Sequence, residues 1–345
     1  MGRLGTALWL VLAAAGSAVA ADTARGRTES TMSALERMKA DYRRPLDVPD
    51  SADNPSTTAK IELGRSLFFD PRLSSSGVIS CASCHNPGLG WEDGLPVGRG
   101  NMGGQLSRHS PTILNLAWGG PYFWDGRAAT LEDQAKGPIA APGEMALPHD
   151  QAVQRISGIA GYGRLFELAF PGKPVSIDAI AGAIAAYERT LVSGEAPFDR
   201  WISGDESAIS EDAKRGFVLF NTKARCATCH TGWRFTDDGF HDIGLPSSTD
   251  LGRGALVPGV TILQRAFKTP TLRNIDQRAP YMHDGSLATL EAVVAYYDGQ
   301  FERRASLSPD MAAPDLAADE RAQVVAFLKT LSSEDGPTAI PTLPQ

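Results

Sequence analysis

Apolar residues recur every three or four positions along much of the chain, which is the pattern of amphipathic helices. The pattern is strong in residues 176–192, a closing helix is predicted over residues 318–333, and shorter helix-like segments occupy residues 61–69 and 212–220. The chain also contains 35 glycines and 23 prolines, and these residue types favour loops. The sequence therefore predicts helices joined by plentiful loops.

The first twenty residues have a different pattern. Arg3 is followed by an almost wholly apolar run, residues 4–15, and then by Ala18-Val19-Ala20, a small-x-small cleavage motif. The apolar run is shorter than the ~20 residues that cross a bilayer, and no other segment of the sequence approaches that length. Residues 1–20 are therefore predicted to be a cleavable secretory signal peptide, with a membrane anchor as the alternative interpretation.

The net charge of the chain disfavours one class of function. Its formal net charge is −7 at pH 7, and it has no basic runs. An acidic chain of this kind is a poor nucleic-acid binder. Without the signal peptide about 325 residues remain, which is enough for two domains of ordinary size.

All four cysteines lie in two copies of one motif, CASCH at 81–85 and CATCH at 226–230. Cys-x-x-Cys-His is the spacing of covalent haem attachment, in which two thiols bond the porphyrin vinyl groups and the histidine reaches the iron. We interpret each copy as a haem c site. Haem 1 is assigned to Cys81, Cys84 and His85, and haem 2 to Cys226, Cys229 and His230.

Other interpretations of these cysteines explain less. A zinc site built from the four thiols would leave both histidines unexplained, and a thioredoxin-like dithiol expects a βαβ setting that the sequence lacks. Disulfides are common in exported proteins, but the spacing favours haem.

The haem motifs belong to a longer internal repeat. Residues 110–132 align without gaps on residues 269–291, at an offset of 159, with eleven identities in 23 positions. In both copies a Thr-Leu-Glu sequence opens an apparent helix, with Thr130 and Thr289 as N-caps. The sequence therefore predicts two copies of one haem-binding unit.

The two copies differ where the sixth iron ligand would lie. Tyr297 belongs to the helix that follows Thr289, and the offset places Pro138 at the equivalent position of the first copy. Proline has no side-chain donor atom, so haem 1 is predicted to have an open face, while a tyrosinate can close haem 2. Spacing alone favours the alternative that Tyr297 is a core aromatic. An open iron binds small ligands such as peroxide, whereas an iron with two protein ligands mostly transfers electrons.

Peroxide chemistry at haem 1 needs a group that moves a proton to the departing oxygen. Gln134 and Glu144 lie on either side of Pro138 in the sequence. A carboxyl group in an apolar haem pocket would have a raised pKa. Spacing alone does not distinguish these roles from those of two solvated side chains on a loop.

Further segments occur in a specific order: SPTILN, FWDGRAATLEDQAKGPI, GEM, APFDRW, KTPTLRN and APYMHDGSLATLE. Together with CASCH and CATCH they resemble the bacterial di-haem cytochrome c peroxidase and MauG family over residues 60–330. The resemblance implies a mainly α fold of two tandem cytochrome c-like haem domains with long loops, in the periplasm. It also implies a high-spin, peroxide-reactive haem in the N-terminal domain and a six-coordinate haem in the C-terminal domain.

Within this family the sixth ligand of haem 2 is a methionine in peroxidases that oxidise cytochromes and a tyrosine in MauG. The resemblance places Tyr297 at that position, with Tyr296 and Met282 as alternatives. Tyrosinate favours higher iron oxidation states than a thioether does. The resemblance therefore implies MauG-like chemistry, in which peroxide produces high-valent iron.

The resemblance also bears on a capping histidine and on calcium. Cytochrome-oxidising members cap haem 1 with a histidine from the loop that corresponds to residues 96–111. The only histidine in this loop of the sequence is His109, whereas the family position falls near Asn101. A permanently open haem 1 is therefore expected. Family members bind calcium between the haems, with backbone ligands that would be Arg278 and Pro280. The family's asparagine ligand aligns with His109, and imidazole is a poor calcium ligand.

Two tryptophans are candidates for an aromatic relay. Trp124, in FWDGRA, lies where the family places an aromatic near the path between the haems, and core packing is its alternative role. Trp233, three residues after His230, is the second candidate. MauG has a tryptophan two residues before its second haem motif, and Ala224 occupies that position here.

The predicted organisation has five parts, and a predicted helix lies near the end of each haem domain. The parts are a signal peptide (1–20), a flexible lead-in (21–55), an N-terminal haem domain (56–203), a C-terminal haem domain (204–335) and a mobile proline-rich tail (336–345).

The leading hypothesis is an exported enzyme that reacts with hydrogen peroxide and oxidises a protein partner. Glu144 would handle the proton, Gln134 would orient peroxide or water, Pro138 would leave the iron open and Trp124 would belong to the relay. The alternative is a cytochrome c peroxidase that takes electrons from a protein donor such as a c-type cytochrome or a cupredoxin. A non-catalytic di-haem electron carrier is the third interpretation.

Overall fold

The computed structural model describes residues 33–246 and 249–345. The predicted signal peptide and the start of the lead-in lie outside the described residues. The chain divides into two compact units between Asp41 and Tyr42. In the first unit the described residues form one helix, α1 (Ala34–Asp41), so the lead-in contains regular structure.

The second unit, Tyr42–Gln345, is mainly α-helical, as predicted. Helices α2 to α8 lie within the predicted first haem domain and α9 to α11 within the predicted second, which also contains an antiparallel pair of short strands. No helix of the described residues is long and apolar enough to cross a membrane. The bounds are α2 Thr58–Phe68, α3 Cys81–Cys84, α4 Leu131–Ala140, α5 His149–Ser157, α6 Ala160–Ala169, α7 Ile177–Glu188, α8 Pro197–Ile202, α9 Glu211–Asn221, β1 Phe240–His241, β2 Phe267–Lys268, α10 Leu290–Tyr297 and α11 Ala318–Lys329.

Side-chain caps fix where five of these helices begin. In each, a threonine or serine side chain accepts a hydrogen bond from the backbone N–H three residues further on, which satisfies one of the donors left free in the first turn. Two of these caps confirm the prediction from the repeat. The five caps are Thr57, Thr130, Ser176, Ser210 and Thr289.

The same helix pair lies at the centre of each haem domain: α2 packs on α7, and α9 packs on α11. A glycine permits this close approach in both. A Cβ atom on Gly64 would meet the Ala183 carbonyl oxygen at 1.8 Å, and one on Gly216 would meet the Gln323 carbonyl oxygen at 1.9 Å. The backbones therefore touch at equivalent points, and the predicted repeat is confirmed at the level of packing.

Gly216→Ala is expected to lower the stability of the second domain. Alanine is the better helix former by about 1 kcal/mol, but its methyl group would overlap the Gln323 carbonyl, and overpacking of this kind costs about 1–3 kcal/mol. We expect a lower thermal midpoint for the haem-loaded variant. Gly163→Ala, on α6 with open space at its Cβ position, is the matched control; an equal loss in both variants would contradict the packing argument.

The later part of the repeat also recurs in three dimensions. Asn115 and Asn274 both adopt left-handed backbone, with φ of 63° and 58°. The peptide bonds that precede Pro121 and Pro280 are both cis. These shared features give the segments that lead into α4 and α10 the same backbone course.

Two aromatic residues extend the second-domain core beyond the predicted boundaries. Tyr42, within the predicted lead-in, stacks on Phe235 with ring centroids 4.7 Å apart and donates its hydroxyl to Asn221 at 2.7 Å. Phe198 of α8, within the predicted first domain, packs on Phe217 of α9. Large aromatic side chains are buried where other rings meet them, so both residues contribute to the aromatic core around α9.

The proline-rich tail, which the sequence predicted to be mobile, is hydrogen-bonded to the first domain. The Pro344 carbonyl oxygen accepts from Arg72 Nη2 at 2.8 Å, and the Gln345 carbonyl oxygen accepts from the Gly161 N–H at 2.7 Å. Leu343 packs against the first-domain core. Composition could not reveal these contacts because their partners lie far away in the sequence.

Candidate functional site

Both Cys-x-x-Cys-His motifs line one cavity of about 700 Å³, within the usual size range of cofactor sites. The first motif begins in α3, and the second begins in a short 3₁₀ helix, Cys226–Thr228. None of the four thiols is in a disulfide, as covalent haem attachment requires.

Both motif histidines line the cavity, and in each the Nδ1 atom lies near a backbone carbonyl oxygen. His85 Nδ1 lies 3.2 Å from the Trp91 carbonyl oxygen, and His230 Nδ1 lies 2.8 Å from the Phe235 carbonyl oxygen. An Nδ1–H that donates to a backbone carbonyl leaves the Nε2 lone pair for a metal. Burial lowers the pKa of both imidazoles, which favours the neutral, ligating form. The residues at each motif therefore fit a c-type haem.

On the first-domain side of the cavity, α4 contributes Gln134 and Pro138, and the turn after α4 contributes Glu144. The Met145 N–H donates to the Pro138 carbonyl oxygen at 3.0 Å. This hydrogen bond folds the turn back over the end of α4. The three residues that the sequence analysis grouped around haem 1 thus line the same cavity.

Glu144 lies in surroundings that suit proton transfer. Burial raises the pKa of its carboxyl group, and the positive charge of Arg127 opposes this shift. The Asn101 N–H donates to the Glu144 carbonyl oxygen at 2.7 Å, so the loop near the family's capping position reaches this turn. Asn101 Oδ1 is buried without a hydrogen-bond partner among the described residues. Arg127 and Asn101 are neighbours of Glu144 that the sequence analysis did not identify.

His109 has no ring nitrogen left for an iron or calcium ion. Its Nδ1 lies 2.7 Å from the Leu95 carbonyl oxygen, and its Nε2 lies 3.0 Å from Glu92 Oε2. The side chain is buried. This geometry favours a structural role for His109 over a capping role at haem 1.

Glu92 lies at the centre of a buried network. Besides His109, it accepts hydrogen bonds from Arg278 Nη1 at 2.8 Å and from the Thr112 N–H at 3.1 Å. Burial opposes protonation of His109, but the hydrogen bond and negative charge of Glu92 outweigh it, and the pKa of His109 is raised. The His109 imidazole from the first domain and the Arg278 guanidinium from the second thus share one carboxylate.

Glu92→Gln is expected to destabilise the fold by about 3–5 kcal/mol, because it leaves the buried charge of Arg278 without its partner. The wild type should also lose stability as pH rises. A raised pKa of His109 in the folded state means that its contribution is complete below about 6.5 and fades as pH passes through the folded-state pKa. Thermal unfolding across this range measures both effects.

Glu62→Gln, at an exposed site on α2, is the matched control for this prediction. It removes one carboxylate without touching the network and should leave the midpoint and its pH profile as in the wild type. A Glu92→Gln variant that behaves like this control would mean that the network contributes nothing to stability.

On the second-domain side of the cavity, Tyr297 is the last residue of α10 and lines the cavity. The hydroxyl of Tyr296, the neighbouring alternative, donates to the Ile243 carbonyl oxygen at 2.7 Å. Met282 also lines the cavity, with a left-handed φ of 78°. Burial raises the pKa of the Tyr297 phenol, so the ionised form needs a nearby positive charge such as that of a bound iron.

Trp124 connects the two domains. Its indole N–H donates to the His109 carbonyl oxygen at 2.8 Å, and the His109 N–H donates to the His283 carbonyl oxygen at 2.8 Å. The ring of Trp124 lies 6.5 Å from that of His283, centroid to centroid. Trp124 therefore bridges the first domain and the segment that leads into α10.

Trp233 is less suited than Trp124 to electron transfer between the two haem sites. Its ring contacts Trp118 with centroids 4.7 Å apart. The guanidinium groups of Arg44 and Arg273 lie 5.3 Å and 5.7 Å from its ring centroid. Positive charges at this distance disfavour the removal of an electron from the indole.

Two repeated Cys-x-x-Cys-His sites on one cavity, with a proline on one side and a tyrosine on the other, define a di-haem c-type protein. Residues 58–207 match the family described as di-haem cytochrome c peroxidase, and residues 213–332 match cytochrome c. The chain belongs to the di-haem cytochrome c peroxidase and MauG family. It is an oxidoreductase of the haem peroxidase type, and this family carries two haem c groups.

The relatives of this chain include both branches of the family. The methylamine utilization protein MauG of Methylorubrum extorquens is 51% identical to it over 95% of each chain. The cytochrome c551 peroxidase of Nitrosomonas europaea is 38% identical over 86% of each. A crystal structure of a MauG-like protein associated with microbial copper homeostasis has a TM-score of 0.77 at 33% identity, covering 84% of this chain and 95% of that chain.

Proposed function

We propose that this protein uses hydrogen peroxide to oxidise a side chain of a protein partner. One observation carries the proposal: Tyr297 on α10 and Pro138 on α4 both line the cavity. A proline leaves one iron open to peroxide. A hard anionic ligand at the other iron favours its higher oxidation states.

Two haem c groups would supply the redox chemistry, since their iron can give up electrons to peroxide. The thiols of Cys81 and Cys84 would attach the first group and His85 would ligate its iron. The corresponding residues of the second site would be Cys226, Cys229, His230 and the sixth ligand Tyr297.

Glu144 and Gln134 would act on peroxide at the open site. The Glu144 carboxylate would take the proton from the oxygen nearer the iron and deliver it to the departing oxygen, which already carries one proton and so leaves as water. The Gln134 amide would orient peroxide or water by hydrogen bonding. Trp124 would assist electron transfer between the two sites, because it bridges the domains there.

The partner and the location follow from the same proposal. The predicted signal peptide supports a periplasmic location, where the protein partner would meet it. The name of the Methylorubrum extorquens relative points to methylamine utilization as the process in which that partner takes part. The higher identity to this relative than to the peroxidase supports the choice of branch.

Calcium, which the resemblance implies, fits this chain poorly. Calcium takes six to eight oxygen ligands, and only the backbone carbonyls of Arg278 and Pro280 correspond to the family's set. The aligned His109 has both nitrogens engaged, and the Arg278 side chain brings a positive charge to Glu92. No step of the proposal depends on calcium.

The second candidate is a cytochrome c peroxidase, which the Nitrosomonas europaea relative supports. Steady-state peroxide reduction with ferrocytochrome c as the sole donor separates the two. Tyrosinate lowers the reduction potential of iron relative to a thioether, so we expect slow turnover in the wild type and faster turnover in Tyr297→Met. Met282→Leu is the control and should match the wild type. Rapid wild-type turnover that Tyr297→Met leaves unchanged would favour the peroxidase.

A further inference from the structure

Glu188 is a buried acid that the proposed chemistry does not use. It is the last residue of α7, it is 4% exposed, and it lines the cavity. Its Oε2 atom is buried and has no hydrogen-bond partner among the described residues. An ionised carboxylate in such a place is costly, so the neutral acid is favoured until a positive charge appears nearby.

The charged groups around Glu188 do not reverse its preference for the neutral acid form. Burial raises the pKa of Glu188 to about 8, with Arg189 opposing the shift and Glu132 adding to it. Arg189 is the cation whose charge acts on Glu188, but its Nη2 donates to Glu132 Oε1 at 2.8 Å, and its Nη1 has no partner among the described residues. The neighbouring carboxylate of Glu132 therefore takes up much of the charge that could have stabilised an ionised Glu188.

The other titratable neighbours are neutral. The negative charge of Glu188 helps to raise the pKa of the Tyr122 and Tyr187 phenols and of the Cys81 thiol. Helices α2, α4 and α5 pack on α7, and among their charged groups within the described residues Glu132 of α4 is the one that shifts the pKa of Glu188. Since Cys81 is the first attachment residue of haem 1, the variable charge nearest to Glu188 would be that of haem 1.

We propose that Glu188 is a charge-compensating residue for haem 1, which releases its proton when the haem is oxidised and takes up a proton when the haem is reduced. In each oxidation one electron leaves the iron for the oxidant and one proton leaves the Glu188 carboxyl group for water, so the net charge of the site stays constant. The inference rests on haem at the first motif but not on the identity of the protein partner.

The test is the midpoint potential of haem 1 in the haem-loaded protein, measured by spectroelectrochemistry over about two pH units on either side of 8. Transfer of one proton with one electron gives a slope of up to about 59 mV per pH unit, the equivalent of a tenfold change for one electron. We expect this slope in the wild type and in the exposed control Glu62→Gln, and a nearly flat profile in Glu188→Gln.

Glu144→Gln completes the design, because burial also raises the pKa of the Glu144 carboxyl group on this cavity. The midpoint potential of haem 1 in Glu144→Gln should depend on pH as it does in the wild type. The proposal is overturned if the wild type has no slope, if Glu188→Gln keeps it, or if Glu144→Gln removes it.

If Glu188→Gln fails to fold, infrared redox difference spectra provide the answer. Reduction of haem 1 in Glu144→Gln should produce a carbonyl band of a protonated carboxyl group that shifts in deuterated water. Absence of that band would overturn the proposal. Neither measurement uses peroxide or a protein partner, so the result is independent of the proposed function.

Discussion

Tyr297→His is expected to keep both haems covalently attached but to prevent peroxide from oxidising both irons together. The attachment cysteines and motif histidines are unchanged, and imidazole can still ligate iron. As a neutral donor, however, it supports higher oxidation states less well than phenolate does. The yield of doubly oxidised protein should fall about tenfold or more, the equivalent of about 1.4 kcal/mol. Low-temperature EPR after one equivalent of peroxide measures this yield.

Tyr296→Phe is the matched control for this prediction. It removes the hydrogen bond to the Ile243 carbonyl oxygen, worth about 1 kcal/mol, and leaves Tyr297 in place. It should therefore keep the full yield of doubly oxidised protein. A normal yield in Tyr297→His, or a lost yield in Tyr296→Phe, would refute the assignment of Tyr297 as the ligand.

Glu144→Gln is expected to slow the reaction with peroxide about 10²- to 10⁴-fold, the usual contribution of a positioned acid–base group. The amide preserves the shape of the side chain but cannot accept and return a proton. The optical spectrum of the resting protein should be unchanged, which separates loss of proton transfer from loss of the site. Stopped-flow mixing with peroxide measures the rate constant.

The pH dependence of the same rate constant identifies the group. Burial raises the pKa of Glu144, so the carboxylate that accepts the proton forms only above the usual range of glutamate. The wild-type rate should rise with pH through this raised pKa and then level off, whereas Glu144→Gln should show no such rise. Glu62→Gln should follow the wild type. An unaltered rate and pH profile in Glu144→Gln would exclude it as the proton carrier.

The repeat was the most informative feature of the sequence. It placed the helix caps Thr130 and Thr289 correctly, because a cap depends on residues only three positions away. It also paired Pro138 with Tyr297, and both residues line the cavity. Local chemistry and a constant offset are enough for such predictions.

Contacts between distant residues could not be predicted in this way. Arg278 meets Glu92 across 186 positions, and the sequence aligned the nearby His109 with a metal ligand instead. Tyr42 joins the second-domain core although it lies in a polar, proline-containing stretch. Both depend on the tertiary fold, which brings together residues without a shared local pattern.

Glu188 was missed for a different reason. It lies at the end of α7, where almost every residue is buried, so hydrophobic periodicity does not separate an inner from an outer face. A glutamate within such a helix is the one available signal, because charged residues are rarely fully buried without a partner.

The most direct test of the account adds one equivalent of hydrogen peroxide to the fully oxidised protein and records optical and low-temperature EPR spectra. We expect one high-spin and one low-spin ferric signal at rest, and both should fade together without prior reduction. If no change occurs until one haem has been reduced, a gating ligand closes haem 1 and the protein acts as a cytochrome c peroxidase. That result would contradict the open site beneath Pro138 and the role proposed for Tyr297.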